Sequence, residues 1–374
     1  MNRIKLNKYK CGRDDKSFVC VNGEPNKKID IIKPNYMRRE KNSGISISGD
    51  VEDLMHEKIH ISNDFNKDLL YTINVNFGEK NSISSELVID TGSSDLWISK
   101  RAISKYFINS GKPNDFKPNE KFNKTTGKKI PIMINYGSGI VGGNIYSDKV
   151  SIDNLAVNAQ SFGIMNNMSL GVQINGILGL GFNTLANKNN TPIMLDNLFN
   201  NGIIKNRIFG FNSNEITIGE IDEEYKKQIK YVGLYNNNGY WNIKYNKTLI
   251  ADKLMDSKYD SIIADTGCSA IIVAGNDYNN ILKFMNISED EVYDITEDKY
   301  NSLPNITFNI GTAENNIDIC IKPEHYMIKN DDKYELLITY SAEETDTLIM
   351  GDPLFRAYYC VFDMDNKQMG FCAC

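Results

Sequence analysis

Two short stretches limit what this chain can fold into. Leu87-Val88-Ile89-Asp90-Thr91-Gly92-Ser93-Ser94 sends an apolar run straight into an acidic residue, and Ser261-Ile262-Ile263-Ala264-Asp265-Thr266-Gly267-Cys268-Ser269 repeats the order 175 residues later. A carboxylate drawn towards a core is costly unless it neutralises or finds partners, so a chain that does this twice uses both groups. An apolar pair closed by glycine follows each: Ile177-Leu178-Gly179 ends 89 residues after Asp90, and Ile349-Met350-Gly351 ends 86 after Asp265. Such an internal repeat predicts two related halves. Each contributes one aspartate at a strand-to-turn exit, and the carboxyls meet across an approximate two-fold axis.

The rest of the chain reads mainly as strands. YTINVNFG (71–78), IPIMINYGSG (130–139), IFGFNSNEITIG (208–219) and NITFNIG (305–311) alternate apolar and polar residues between Gly and Asn punctuation. Few helices are expected; the best lies in 191–202, with Thr191 as cap, Pro192 at the first helical position and Gly202 just past the end. At 374 residues there is room for two lobes with their own cores. The predicted class is all-β and bilobal, with two related barrel-like lobes around a central cleft. The organisation expected is an N-terminal arm over 1–60, a first lobe over 61–224 and a second over 225–374.

With 41% apolar and 24% charged residues of mixed sign, the composition excludes general disorder, a collagen-like chain and a polytopic membrane protein. Charge is unevenly spread. Residues 1–41 carry 12 Lys/Arg against 5 Asp/Glu, whereas the remainder carries 30 against 43, a net of -13. The basic arm reads either as a solvated tail or as an intramolecular partner for an acidic surface. The acidic body argues against nucleic acid as a partner. Residues 1–16 lack the apolar run of a signal peptide, and no stretch of 18 apolar residues occurs, which leaves the compartment open. The seven cysteines have no framework spacing, although a pair closing near the C-terminus stays open.

Two carboxyls about 3 Å apart do not both ionise easily, so they share a proton over a broad acidic range. One is then a base while its neighbour is an acid. Together they can take a proton from a trapped water and give one to a carbonyl oxygen, with neither metal nor cofactor. The glycine after each Asp-Thr allows close approach, and hydroxyls nearby can hold the carboxylates.

These segments resemble those of the pepsin-like aspartic proteases, the bilobal family that includes cathepsin D, renin and the plasmepsins. The likeness runs from about residue 64 to the end. Asp90 through Trp97 resembles the first signature, Ile134-Asn135-Tyr136-Gly137-Ser138-Gly139 the flap, and Asn175 through Gly181 the apolar-Gly support; Gly239-Tyr240-Trp241 and Leu348 through Tyr359, with Val361-Phe362-Asp363, continue it. The resemblance implies Asp90 and Asp265 as the catalytic pair, with Ser93 hydrogen-bonding the first carboxylate. It implies a flap that closes over an extended peptide, the Tyr136 hydroxyl meeting the indole of Trp97. Gly92 and Gly267 would face peptide backbone, Ser138 would donate from the flap, and Ile177 would line an apolar pocket; Gly137, Cys268 and Ser269 complete the substrate-contacting set.

The departure is Cys268, where the family usually has Thr or Ser; a thiol is a weak donor, which predicts a poorly stabilised second carboxylate. Zymogens of the family carry basic prosegments, which Lys27 through Lys33 with Arg38-Arg39 faintly resembles, and Lys58 is a candidate partner for the two aspartates.

The run Gly137 to Gly142 matches G-x-G-x-x-G, but the residues after it alternate like a strand, so the nucleotide-binding context is missing. His56, His60 and His325 and the pair Cys372 and Cys374 lack metal-ligand spacing and read as solvent-facing. The expected activity is acid endopeptidase, acting as a monomer on protein or peptide with apolar residues beside the cut. The alternative is a pepsin-like pseudoprotease that binds peptides without cleaving them.

Overall fold

The computed structural model describes residues 70–374 apart from 80–81, 112–113, 191, 331 and 342–344, together with the backbone strands Arg3–Lys5, Asn7–Lys8, Phe18–Val19 and Ser62–Asn63. The rest of the basic arm, with Lys27 to Lys33, Arg38, Arg39, Lys58, Cys11, Cys20, His56 and His60, lies outside the described residues.

The chain is mostly strand, in three principal sheets. A nine-stranded sheet in the first half runs Asn7–Lys8, Tyr71–Phe77, Ile83–Asp90, Gly176–Gly179, Leu96–Ser99, Leu155–Leu170, Gly139–Ile152, Asn119–Glu120, with Pro131–Tyr136 paired on Gly139–Ile152. Its counterpart in the second half runs Asn316–Ile321, Ile306–Gly311, Asn242–Ile250, Ser261–Ala264, Thr347–Met350, Ile271–Ala274, Ile338–Ser341. An antiparallel six-stranded sheet joins the two halves, ordered Arg3–Lys5, Glu215–Ile218, Ile208–Phe211, Tyr358–Asp363, Gln368–Ala373, Lys230–Gly233.

The duplication read from the sequence recurs as topology. Ile83–Asp90 lies parallel to Gly176–Gly179, with Asp90 opposite Gly179, and the latter strand is antiparallel to Leu96–Ser99. In the second half Ser261–Ala264 lies parallel to Thr347–Met350, with Ala264 opposite Met350, and the latter strand is antiparallel to Ile271–Ala274. Residues 87–90 and the strands Gly176–Gly179 and Ser261–Ala264 are buried throughout, so the approach to each aspartate reads as a continuous apolar run and not as an alternating one. A large core under the sheets includes Phe209 stacked on Phe362 at 4.5 Å and Trp241 edge-on to both. A smaller cluster of Val88, Trp97, Ile132, Tyr136, Val141, Ile145, Met165, Ile174 and Ile177 sits beneath the hairpin Pro131–Tyr136/Gly139–Ile152.

Three expectations are corrected. The helix foreseen over 191–202 begins later, at Met194, and spans Met194–Asn200 with Ile193 as its cap residue. Asn183 Oδ1 takes the Ile193 amide at 3.1 Å, so a side chain distant in sequence holds the turn assigned to the cap. Two eleven-residue helices also went unforeseen, Lys100–Ser110 and Gly275–Met285. The first is well specified locally: Ser99 accepts from the Ala102 amide at 3.1 Å, Ala102, Ile103 and Phe107 are buried, and Gly111 ends it at φ 65°. Lastly, Cys372 is buried and His325 is half-buried, whereas Cys374 is exposed. Burial of the imidazole lowers the His325 pKa, and Cys372 packs with Ile208, Tyr359 and Val361. Cys268, Cys320, Cys360, Cys372 and Cys374 are free thiols. Among the described residues no helix is long and apolar enough to cross a membrane.

Candidate active site

Each aspartate is delivered by an apolar strand and caught by the turn that follows. Asp90 ends its strand buried, with the Gly92 amide donating to Oδ1 at 2.8 Å and the Ser93 hydroxyl donating to Oδ2. Asp265 follows Ser261–Ala264, is also buried, and takes the Gly267 amide on Oδ1 at 2.9 Å. The supporting strand holds the backbone of each aspartate from behind, in opposite senses: the Leu180 amide donates to the Asp90 carbonyl at 2.8 Å, and the Asp265 amide donates to the Met350 carbonyl at 3.0 Å.

The two turns are locked together by their threonines. The Thr91 amide donates to Thr266 Oγ1 at 3.1 Å and the Thr266 amide to Thr91 Oγ1 at 3.0 Å. The Thr91 hydroxyl then donates to the Ala264 carbonyl at 2.9 Å and the Thr266 hydroxyl to the Ile89 carbonyl at 2.8 Å. Sequence reasoning had assigned nearby hydroxyls to the carboxylates; these two bind backbone instead. Their signal was the repeat itself, which keeps threonine at both places.

The glycines bring the carboxyls together. A Cβ on Gly92 would lie 2.6 Å from Asp265 Oδ2, and one on Gly267 would lie 2.6 Å from Asp90 Oδ1. Each glycine therefore leaves room for the carboxylate of the opposite half. Burial raises the Asp90 pKa above the ordinary carboxylate value, against hydrogen bonds from Ser93, Asp265 and the Gly92 amide that pull it down.

Over this floor stands the hairpin of Pro131–Tyr136 and Gly139–Ile152, with Gly137 and Ser138 in its turn. Gly139, at φ 136°, has no room for a side chain, since a Cβ would reach 1.7 Å from the Ser169 carbonyl oxygen. The Trp97 indole donates to the Tyr136 hydroxyl at 2.8 Å. Burial pushes the Tyr136 phenol well above its usual value, and the charges of Asp90 and Asp95 push the same way. Ile177 is buried in the small apolar cluster under the hairpin, while Ser269 lies half-buried in the second turn.

The halves differ at Cys268. Its thiol donates to the Ala270 carbonyl at 3.2 Å, whereas Ser93 turns to Asp90. Burial, then the charge of Asp265, raises the Cys268 thiol far above its usual value and keeps it protonated. The run 139–152 continues as strand after the G-x-G-x-x-G match, so no helix opens there to receive a phosphate.

An all-β, two-lobed scaffold with a repeated Asp-Thr-Gly turn beneath a hairpin defines the class of the pepsin-like aspartic proteases. The model of the eukaryotic aspartyl protease family matches residues 70–374, and the chain belongs to that family. It is 30% identical over 298 residues to pregnancy-associated glycoprotein 2 of Bos taurus, covering 76% of this chain and 77% of the relative. Embryonic pepsinogen of Gallus gallus is 26% identical over 299 residues, covering 76% and 75%, and cathepsin E of Aquarana catesbeiana is 25% identical over 310 residues, covering 76% and 75%.

Proposed function

We propose that the chain is an aspartic endopeptidase that hydrolyses peptide bonds at acidic pH with a water activated between Asp90 and Asp265. The observation that carries this reading is the reciprocal fit of Gly92 against Asp265 and Gly267 against Asp90, which leaves the two carboxyls a shared space. In the singly protonated pair the ionised carboxyl takes a proton from the water as its oxygen bonds to the peptide carbon. The protonated carboxyl donates to the carbonyl oxygen, giving a neutral tetrahedral diol. Collapse of the diol breaks the C–N bond as a proton passes to the leaving nitrogen, and one carboxyl is left protonated for the next cycle. The Ser93 hydroxyl and Gly92 amide favour the anion at Asp90, while burial favours its proton, and sharing follows from that opposition.

Tyr136, Gly137 and Ser138 would cover an extended peptide, with Gly92, Ser93, Gly267, Cys268 and Ser269 along the floor. Ile177 and its apolar neighbours under the hairpin favour a bulky apolar side chain beside the cut. Residues 1–60 would serve as a basic prosegment held by the acidic body. Acidifying the full-length chain and sequencing new N-termini tests that part: processing between residues 40 and 66 supports it, and full activity without processing refutes it.

One observation favours a second reading, a pseudoprotease: the Cys268 thiol turns to Ala270 and does not match Ser93. A peptide-library digest across pH, with a pepstatin-type inhibitor and Asp90→Ala as controls, separates the two. Cleavage lost with Asp90 and blocked by the inhibitor is expected; tight inhibitor binding without cleavage would establish the pseudoprotease.

A further inference from the structure

The halves repeat more than their Asp-Thr-Gly turns. Behind each turn a glycine-closed strand end supports it, and the residue after the glycine makes the contact. The Leu180 amide donates to the Asp90 carbonyl at 2.8 Å, and the Asp352 amide donates to the Cys268 carbonyl at 2.9 Å. Each of these two residues is also gripped by an aromatic side chain from the opposite half. The Trp241 indole donates to the Leu180 carbonyl at 2.9 Å, and the Tyr71 hydroxyl donates to Asp352 Oδ1.

Tyr71 and Trp241 themselves occupy matching places. Tyr71 opens the strand Tyr71–Phe77, which pairs with the strand bearing Asp90; Trp241 immediately precedes Asn242–Ile250, which pairs with the strand leading to Asp265. Each aromatic residue thus belongs to one half and reaches behind the aspartate turn of the other.

The two braces differ in chemistry. Leu180 offers a neutral carbonyl, but Asp352 is a carboxylate with no exposed surface. Its other oxygen forms an ion pair with Arg356, 2.9 Å from Nε, and the same guanidinium donates to the Met327 carbonyl at 3.0 Å. The charge of Asp352 reaches the second turn, since it is one of the groups raising the Cys268 thiol. The Tyr71 ring is fixed edge-on to Phe211 at 5.1 Å, and Phe211 is edge-on to Phe355 on the Asp352–Ala357 helix.

We propose that Tyr71 and Trp241 are a crossed pair of positioning residues, each bracing from behind the turn that carries the other half's aspartate. This rests on the reading of Asp90 and Asp265 as the hydrolytic pair. Loss of the Tyr71 hydroxyl lets the second turn shift and leaves the Asp352 charge less compensated. The first effect lowers turnover, and the second favours the proton on the pair.

The test uses the full chain and one peptide substrate. Loss of wild-type cleavage in Asp90→Asn checks the hydrolytic reading independently, so failure of that reading is seen there. Tyr71→Phe removes one oxygen and keeps the ring: kcat should fall about tenfold with KM within about twofold, and the acid limb of the pH–rate profile should move to higher pH. Asp352→Asn keeps an acceptor but removes the charge, leaving Arg356 in excess, and should move the same limb to lower pH. Tyr245→Phe is the control, because that buried tyrosine loses a comparable bond, to Thr248 Oγ1 at 3.0 Å, without contact to either turn. It should lower Tm and leave the profile in place. A Tyr71→Phe enzyme that loses only Tm, as the control does, would overturn the proposal. Should that variant not fold, an unmoved limb in Asp352→Asn would overturn it equally.

Discussion

Thr91 and Thr266 each receive the other's backbone amide on a side-chain oxygen, at 3.0 and 3.1 Å, and each passes its own proton to the carbonyl just before the opposite aspartate. Four hydrogen bonds with no exposed threonine surface hold two turns 175 residues apart in sequence.

Thr91→Val keeps the shape of the side chain but strands the Thr266 amide and the Ala264 carbonyl. A buried group left without its partner costs about 1–3 kcal/mol. Urea unfolding should therefore report a loss of about 2–5 kcal/mol, while Thr91→Ser, which keeps the hydroxyl, should stay within about 1 kcal/mol of wild type. Equal stability of the two variants would contradict the account of the lock.

The threonine lock marks the limit of what the sequence displays. The repeated Asp-Thr-Gly announced a paired site because an acid placed after an apolar run is anomalous in any local context. The partners of the threonines were not legible, since hydroxyls in a turn have many nearby acceptors and only the assembled halves select the backbone carbonyls. Tyr71 and Asp352 lie 281 residues apart, and nothing local in either segment shows that they touch. The strands Tyr71–Phe77 and Ile306–Gly311 were visible from alternation. The helix Lys100–Ser110 was missed despite its Ser99 cap, because its apolar residues are few and it follows directly on the buried strand Leu96–Ser99.

Gly92→Ala puts a methyl group 2.6 Å from Asp265 Oδ2. That distance is inside van der Waals contact, so the carboxyls must separate. Because misplacement by about 1 Å can cost 100-fold, peptide cleavage should fall by at least about that factor while far-UV circular dichroism stays native. Wild-type turnover in Gly92→Ala would show that the two carboxyls need not lie so close.

Asp90 gives stability a definite sign with pH. Its pKa is raised in the folded chain, so between the unfolded value of about 3.9 and the folded one the native state holds a proton that the unfolded state has released. The contribution is fully present below the unfolded value and is lost as pH rises through the folded one. Urea unfolding from pH 3 to 7 should show wild-type stability declining more steeply than that of Asp90→Asn. Parallel curves would mean that Asp90 titrates as an ordinary exposed carboxyl.

Cys268→Thr supplies a hydroxyl where the thiol now bonds Ala270. The Ala270 carbonyl keeps the Gly351 amide at 3.2 Å, so a threonine hydroxyl is free to turn to Asp265 as Ser93 turns to Asp90. A donor favours the anion, and the acid limb of the pH–rate profile should move to lower pH. An unchanged limb would show that the second carboxyl is indifferent to this position.

The most direct test of the central claim is the pH–rate profile of cleavage for wild type, Asp90→Asn and Asp265→Asn on one peptide. If the two carboxyls work as a pair sharing one proton, wild type gives a bell-shaped profile in the acidic range and either substitution alone removes activity by several orders of magnitude. Substantial cleavage surviving in either single variant would contradict it.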